Sequence, residues 1–236
     1  HATMLGRCGI IKKEEANDIV NGLKGILADI ENGTLHIDME AEDIHTFIEG
    51  ELTKRIGDNG KRLHTSRSRN DQVAVDIKLY LKKEVVNVKN LVVGLIKVIA
   101  DKAEKYSETV MPGYTHLQRA QPITFGHHLL AYGEMLLRDV SRLEDCLKRM
   151  DEMPLGSCAL AGTTYPIDRT ITAELLGFDR ITNNSLDGVS DRDYCIEFAS
   201  VLSIIMVHLS RFSEEIIMWC SWEFKFIELD DAFSTG

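Results

Sequence analysis

Residues 72–106 read QVAVDIKLYLKKEVVNVKNLVVGLIKVIADKAEKY, and the spacing of their apolar residues indicates the fold class. Apolar residues recur at alternating steps of four and three, which is the spacing of one face of an α-helix. This first row consists of Leu81, Val85, Val88, Val92, Leu95 and Ile99. A second row runs beside it and consists of Val75, Leu79, Val86 and Val93. Because a helix that is apolar on two sides must bury both, the stretch predicts a long helix inside a bundle.

The same spacing occurs in two further stretches, over about residues 123–150 and 190–223. The 47 residues from 189 to 235 contain neither glycine nor proline. No alternating apolar run is bounded by Asn-Gly or Asp-Gly, and no glycine-rich phosphate loop opens a βαβ unit. The sequence therefore predicts an all-α protein, with three helices of roughly 30 residues and about 45 Å each.

Shorter helices are predicted before residue 60, over residues 12–31 and 40–56, each followed by a glycine that stops it. We predict two domains: a partial N-terminal helical domain over residues 1–66, and a central long-helix bundle domain over residues 67–236 that is incomplete at its C-terminal end. The long helices carry more apolar surface than 236 residues can cover. We therefore expect several subunits to share the bundle core.

The composition excludes several classes of protein. The chain has 27 Lys and Arg against 37 Asp and Glu, a net charge of −10, which argues against a nucleic-acid or anionic-membrane partner. The longest apolar runs, residues 91–100 and 201–209, are too short to span a membrane. The five cysteines form no C-x-x-C pair, so we predict neither a zinc ribbon nor a disulfide framework, and a reducing cytosol as the compartment.

The first candidate site is KRLHTSRSRNDQ at residues 61–72, a basic stretch directly ahead of a long helix in an acidic chain. Its hydrogen-bonding and cationic side chains include Ser66, Arg67, Ser68 and Arg69. With Asn70 or Asp71 as the helix cap, the free N–H groups and these side chains would favour an anion such as a carboxylate. A solvated basic loop that ends in a capping residue explains the same stretch, so both interpretations stay open.

The second candidate is MPGYTHLQRAQP at residues 111–122, which we interpret as a loop made rigid by two prolines. A histidine held on such a connection, His116, suits an acid or base that titrates near neutral pH. A structural histidine bonded to a backbone carbonyl is an equally open interpretation. The adjacent His127 and His128 point apart on a helix and do not suggest a metal pair.

The third candidate is MPLGSCALAGTTYP at residues 153–166, whose small residues permit close backbone approach. It can shape a pocket or simply make a tight turn before a short helix that Asp168 caps. Cys158 has no activating base nearby in the sequence, so a nucleophilic role is not expected. His45 lies on a short helix with Asp43. From residue type alone, we interpret it as a surface or packing residue rather than a catalytic one.

These motifs together resemble the argininosuccinate lyases, a branch of the fumarase and aspartase superfamily that includes the delta-crystallin lens proteins. The resemblance is carried by HTSRSRNDQ at 64–72, GYTHLQRAQP at 113–122 and DAFSTG at 231–236. LGS at 155–157 and TYPIDR at 164–169 extend it. It covers essentially the whole chain and implies the long-helix bundle of that superfamily.

The resemblance implies an enzyme that cleaves argininosuccinate reversibly to fumarate and arginine by acid–base β-elimination, a step of arginine biosynthesis and of the urea cycle. It implies no metal or organic cofactor, and a cytoplasmic homotetramer whose active sites each take three segments from three different subunits. The alternatives are another fumarate-forming lyase acting on adenylosuccinate, aspartate or malate, a lens structural protein recruited from this family, and a helical interaction module without enzymatic activity.

The resemblance assigns seven positions to the site: Asp43, His45, Ser68, Arg69, Asn70, Thr115 and His116. The three residues that begin at Ser68 match the segment that binds a substrate carboxylate. Thr115 and His116 match the second segment, in which His116 is the catalytic histidine. Asp43 and His45 match residues that line the site. The identity of His116 does not determine whether it acts as base or as acid.

The third family segment, a flexible loop containing Gly-Ser-Ser, would begin at Gly236. The serine that shares the acid–base work, a loop lysine and the carboxylate that orients the histidine would follow it. Additional substrate-binding residues would precede His1. The resemblance therefore implies an internal fragment that is inactive by itself, because losing one member of a proton-transfer pair costs orders of magnitude in rate.

Overall fold

The computed structural model describes residues 1–234, and the chain is mainly helical. In chain order the α-helices of the described residues are α1 (Ala2–Arg7), α2 (Lys13–Glu31), α3 (Ile44–Ile56), α4 (Asp58–Lys61), α5 (Arg69–Lys105), α6 (Phe125–Met150), α7 (Arg169–Leu176), α8 (Ser185–Ser190) and α9 (Asp193–Cys220). The strands are β1 (Val110–Thr115), β2 (Gln118–Thr124), β3 (Glu152–Met153) and β4 (Arg180–Ile181), and 3₁₀ turns occupy Arg62–His64 and Asp231–Phe233. The predicted fold class, a long-helix bundle, is confirmed, and the three long helices begin and end within three residues of their predicted bounds.

The contacts divide the chain into two compact units. Among the described residues, the first contains 1–80 and 151–191, and the second contains 81–150 and 192–234. Helix α5 contributes residues to both units. The predicted domain boundary near residue 66 is a different division of the chain and stays a prediction.

The first unit has two apolar clusters. In the larger cluster, α1, α2 and α3 bury Leu5, Ile19 and Leu52 completely. The smaller cluster joins α5 to the segment after residue 150, through residues such as Val75 and Met153. It is extended by the short parallel pair β3–β4. These contacts fix the 151–191 segment beside the start of α5.

The second unit is built on α5, α6 and α9. The first apolar row of α5 is buried at Val85, Val92 and Ile99, as its spacing predicts. Helices α6 and α9 pack along each other, and a buried carboxylate joins them. Asp139 of α6 is fully buried and accepts a hydrogen bond from His208 of α9 over 2.7 Å. A buried charge of this kind needs such a partner.

The later part of the second row of α5, Val86 and Val93, is not covered by the described chain, whereas Val75 at its start is buried in the smaller cluster of the first unit. Val86 is 38% exposed and Val93 is 47% exposed. Helix α9 is likewise mostly uncovered, and by length and apolar composition it could cross a membrane, although we expected no such helix. That result is weak evidence for a membrane, because a core helix of a water-soluble protein passes the same test.

The predicted loop at residues 111–122 is instead an antiparallel β-hairpin. Strands β1 and β2 pair from Val110–Thr124 to Thr115–Gln118, with a bulge between Pro112 and Tyr114. The two turn residues, His116 and Leu117, have φ angles of 54° and 57°. A two-residue turn with both φ angles positive is usually made by Asn-Gly or Gly-Gly. The His-Leu pair hid the turn from sequence analysis.

The start of α6 approaches the end of α5 too closely for a side chain. A Cβ atom added to Gly126 would lie 2.3 Å from the carbonyl oxygen of Ala103. Gly94, on α5, has no heavy atom within 4 Å of the same added atom. The two glycines therefore form a matched pair for testing the approach.

We predict that Gly126→Ala lowers the free energy of unfolding by about 1–3 kcal/mol, because the backbone must move to relieve the clash. Gly94→Ala should raise it by up to about 1 kcal/mol through helix propensity. Urea denaturation of both variants measures the difference. Equal stability of the two variants would contradict this packing of α5 on α6.

Candidate active site

The predicted anion segment begins α5, and its cap is Ser68 rather than Asn70 or Asp71. The Oγ of Ser68 accepts a hydrogen bond from the backbone N–H of Asn70 over 3.2 Å. In return, the carboxylate of Asp71 accepts one from the backbone N–H of Ser68 over 2.9 Å. This reciprocal pair is a capping box. It fixes the direction of the first turn, on which all three predicted carboxylate-binding residues lie.

Asp71 also ties this turn to the small-residue loop after residue 153. Its side chain is fully buried, and its second oxygen accepts hydrogen bonds from the backbone N–H groups of Gly156 (2.9 Å) and Cys158 (2.8 Å). Asn70 adds a link, since its side-chain amide donates to the carbonyl oxygen of Ala159 over 3.2 Å. The first and third sequence candidates therefore form one structure.

The backbone is strained where these two segments meet. Ser66 and Cys158 have φ angles of 55° and 53°, in the left-handed region that non-glycine residues avoid. The thiol of Cys158 donates to the carbonyl oxygen of Ser66 over 3.4 Å. Burial raises the pKa of this thiol, and the negative charge of Asp71 raises it further. A raised pKa leaves less thiolate at neutral pH, which favours the expectation that Cys158 is not a nucleophile.

Arg69 is held by protein acceptors. Its Nε lies 3.1 Å from a carboxylate oxygen of Asp43, and its Nη1 lies 3.2 Å from Glu49 and 2.6 Å from the side-chain oxygen of Gln72. Its Nη2 donates to the hydroxyl of Thr46 over 3.3 Å. A substrate carboxylate would therefore compete with these acceptors for the guanidinium group.

The structure brings Asp43 and His45 to the same cluster. Asp43 caps α3 by accepting from the backbone N–H of Thr46 over 2.6 Å, and this bond, with the charge of Arg69, lowers the pKa of its carboxyl group. The Nε2 of His45 lies 3.4 Å from the carboxylate of Asp76, whose pKa is raised by partial burial. Both residues thus lie within the first unit beside the anion segment.

Sequence analysis missed Glu49, which organises this cluster. Its carboxylate lies 2.6 Å from Arg67, 3.2 Å from Arg69 and 3.2 Å from the ring of His64. Burial alone would raise the pKa of Glu49, but the hydrogen bond with His64 and the charges of the two arginines outweigh it and lower the pKa. The available signal was helical spacing, since Glu49 lies four residues after His45.

Arg67 provides the second unexpected feature, a buried cation. Its side chain is 6% exposed, and its Nε has no hydrogen-bond partner within residues 1–234. It lines a cavity of about 270 Å³ together with His45, Glu49 and Gln72. Burial lowers the pKa of its guanidinium group, and Glu49 opposes that effect. Arg67 therefore depends on Glu49 for its compensating charge.

The second unit contains Thr115 and His116 at the tip of the β1–β2 hairpin. Both residues are exposed. Within the described part of the chain, His116 has no side-chain hydrogen bond or ion pair. A histidine with φ of 54° is uncommon, and residues in such conformations cluster at functional sites. The hairpin turn, rather than a structural hydrogen bond, sets the direction of this imidazole.

We predict that Glu49→Gln lowers the free energy of unfolding at neutral pH by about 2 kcal/mol, because the buried Arg67 loses its charged partner. A carboxylate with a lowered pKa stabilises the fold above its usual pKa of 4.5, and that contribution disappears as the pH falls through the lowered value. The stability difference from the unaltered protein should therefore shrink below about pH 4.5.

Thermal or urea denaturation between pH 3 and 8 measures this difference. Glu51→Gln, on the same helix, is the matched control because Glu51 pairs with the exposed Lys54, and it should change stability little. A stability difference for Glu49→Gln that does not change with pH would contradict the charge argument.

Comparison with known proteins identifies the relatives of this chain. A family model described as lyase matches residues 2–236. The chain is 61% identical over all 236 residues to an argininosuccinate lyase of Desulforamulus reducens, and 62% identical to one of Heliobacterium mobile. It covers 51% and 52% of those two proteins, so it spans about half the length of the curated relatives it matches.

A solved structure has the same fold. It is an EDDS lyase variant with bound fumarate, 34% identical in sequence, with a TM-score of 0.89 over 99% of this chain and 46% of that one. The sequence match and the fold match are both to lyases, and the family model covers nearly every residue. The chain therefore belongs to the lyase family.

Proposed function

We propose that the protein containing these residues is an argininosuccinate lyase, which cleaves argininosuccinate reversibly to fumarate and arginine. The observation that carries the proposal is the 61% identity to a curated argininosuccinate lyase across all 236 residues of the chain. The family resemblance of the two motif segments, at the start of α5 and at the hairpin tip, supports the same assignment.

The chemistry is a β-elimination. A base removes a weakly acidic proton from the carbon beside a carboxylate, and the resulting charge spreads into that carboxylate. The carbon–nitrogen bond then breaks, a carbon–carbon double bond forms, and an acid protonates the departing guanidinium nitrogen. We assign one of these two proton transfers to His116, with Thr115 beside it in contact with the substrate. An exposed imidazole at the tip of a hairpin can reach a substrate that no buried histidine could approach.

The charge that develops on the carboxylate requires fixed donors. We assign this role to Ser68, Arg69 and Asn70. Helix α5, 37 residues long, points its N-terminus and the associated partial positive charge toward this segment. The hydroxyl of Ser68 accepts from Asn70 and keeps its proton free to donate. Asp43 and His45 would line the same pocket, and Asp43 would release Arg69 when a substrate carboxylate binds.

The main rivals are other fumarate-forming lyases, which act on adenylosuccinate, aspartate or malate. All of them share the fumarate half of the substrate, and the structurally similar EDDS lyase variant is described with bound fumarate. The proposed anion site would serve any of these substrates. The chain is 61% identical to an argininosuccinate lyase but 34% identical to the EDDS lyase variant, which favours argininosuccinate as the substrate. A lens structural protein would keep the same residues without turnover.

We further propose that the protein is a cytoplasmic homotetramer with active sites shared between subunits and with no metal or organic cofactor. The exposed apolar faces of the long helices support a shared core. They include Leu91 and Val93 on α5, Leu137 on α6, and Ile196 and Ile217 on α9. Exposed apolar side chains along three long helices favour burial against another subunit. The five cysteines form no disulfide, which suits a reducing compartment.

The experiment that tests the activity follows the ultraviolet absorbance of fumarate. The protein is expressed from its complete reading frame, and argininosuccinate, adenylosuccinate, aspartate and malate are offered separately. We expect release from argininosuccinate alone. Release from another substrate would replace the proposed one, and no release from a folded protein would favour the structural role.

We predict that His116→Asn lowers kcat by about 10²–10⁴-fold, the usual contribution of a positioned acid or base. The fold should be unaffected, because the side chain lacks hydrogen-bond partners within residues 1–234. His127→Asn, which alters another exposed histidine of the same unit, is the matched control and should retain activity. If His116→Asn turned over at the normal rate, its catalytic role would be excluded.

We predict a tetramer in sedimentation velocity. Val93→Asp places a charge on the exposed later part of the second row of α5, and it should shift the protein to smaller species because the charge would have to be buried. Lys83→Asp changes an exposed polar position of the same helix and should leave the tetramer intact. A monomer for the unaltered protein would refute the shared core.

A further inference from the structure

The pairing of β1 with β2 is not enough by itself to fix the position of the hairpin tip that carries Thr115 and His116. A two-stranded hairpin is marginally stable by itself in water. Most of β2 is exposed, and the turn keeps His116 and Leu117 at positive φ, which costs conformational energy in any non-glycine residue. A catalytic histidine at this tip therefore needs contacts elsewhere along the hairpin to fix its place.

Those contacts come from Tyr114, the residue directly before Thr115. Its ring lies 5.6 Å from the ring of Phe224 at an interplanar angle of 69°, and 6.5 Å from the ring of Phe226. Phe224 and Phe226 themselves meet edge to face at 5.5 Å and 82°. Aromatic rings prefer such tilted arrangements at these separations. The three rings form a cluster that we call the aromatic clamp.

The other side of the aromatic clamp is anchored to the end of α9. The backbone N–H of Phe226 donates to the carbonyl oxygen of Trp219 over 2.9 Å. The backbone N–H of Lys225 donates to the carbonyl oxygen of Ser221 over 3.0 Å. Trp219 is buried, so the segment that carries both phenylalanines has a fixed base. Lys225, between them, adopts a φ of 48°, which turns the chain so that both rings reach Tyr114.

The same helix end also holds the base of the hairpin. The ring of Trp219 packs edge-on against Phe125, with centroids 5.4 Å apart. Phe125 follows β2, and its backbone N–H donates to the carbonyl oxygen of Thr109, just before β1, over 2.8 Å. The end of α9 thus contacts the hairpin at two places, at its base through Phe125 and near its tip through Tyr114.

We propose that the aromatic clamp positions the hairpin tip for catalysis, so that Tyr114, Phe224 and Phe226 are positioning residues for Thr115 and His116. The proposal rests on the proposed lyase function for its kinetic consequence. The aromatic clamp acts through the backbone of the hairpin and not through contact with substrate. It fixes where the imidazole of His116 lies when a substrate occupies the site.

The kinetic test replaces the rings in the complete enzyme. Tyr114→Ala and Phe226→Ala should each lower kcat about 10- to 100-fold, because small displacements of an acid or base are costly, while KM changes less than kcat. Tyr114→Phe keeps the ring and should restore kcat to within about twofold. Trp222→Ala is the matched control, since Trp222 is in the same segment, is 80% exposed and stacks on Lys225 rather than on the hairpin.

A double variant tests whether the rings of Tyr114 and Phe226 are coupled in their effect on kcat. If they are, Tyr114→Ala combined with Phe226→Ala should lower kcat little more than either change alone. Fully additive losses, or a kcat for Tyr114→Ala within twofold of the unaltered enzyme, would overturn the proposal. If Tyr114→Ala fails to fold, Phe226→Leu keeps apolar bulk without the ring, and the same comparison applies to it.

Amide hydrogen exchange tests the aromatic clamp without any substrate. Peptides covering residues 110–124 should exchange faster in Tyr114→Ala and Phe226→Ala than in Trp222→Ala, whereas helical peptides should not change. If the unaltered enzyme releases no fumarate, the proposed function fails, and the exchange result still decides the clamp. Unchanged exchange at the hairpin would reject the clamp even in an active enzyme.

Discussion

The buried carboxylate of Asp71 is the interaction on which the candidate anion site depends. It accepts backbone hydrogen bonds from Ser68, Gly156 and Cys158, so it joins the first turn of α5 to a loop 85 residues away in sequence. A buried carboxylate is tolerated only when its oxygens are satisfied in this way. Three backbone N–H groups converge on this carboxylate. They therefore fix the strained backbone at Cys158 and the first turn of α5, which carries Asn70, relative to each other.

A second layer of charge surrounds this turn. Glu49 is shared between Arg67 and Arg69, and Asp43 also engages Arg69. Each nitrogen of the Arg69 guanidinium therefore has a protein partner, whereas Arg67 is paired with Glu49 through Nη2 and its buried Nε has no partner within residues 1–234. The two carboxylates balance the charges of the two arginines, so binding of a carboxylate at the proposed site would be an exchange of partners rather than a simple addition.

The hairpin of the second unit carries His116, for which we propose a role in proton transfer. A histidine that exchanges protons with a substrate must be accessible, and an accessible tip is mobile unless something holds it. Aromatic contacts below the tip and a strained turn at the tip meet both requirements, because the side chain stays in solvent while the backbone beneath it is packed. The exposed apolar residues of α5 and α9 support the proposed association between subunits.

The sequence by itself determined the features that depend on neighbours along the chain. Apolar spacing predicted α5, α6 and α9, and the Asp168 cap predicted α7. The family motifs indicate His116 and the residues from Ser68 as site residues, and these stay predictions. Only the tertiary structure decided which groups meet over long distances: Asp71 with the 156–158 backbone, Glu49 with Arg67, and Tyr114 with Phe224. It also decided that residues 110–124 form a hairpin. The physical reason is that burial and pairing depend on segments that approach in space, and local spacing carries no information about that approach.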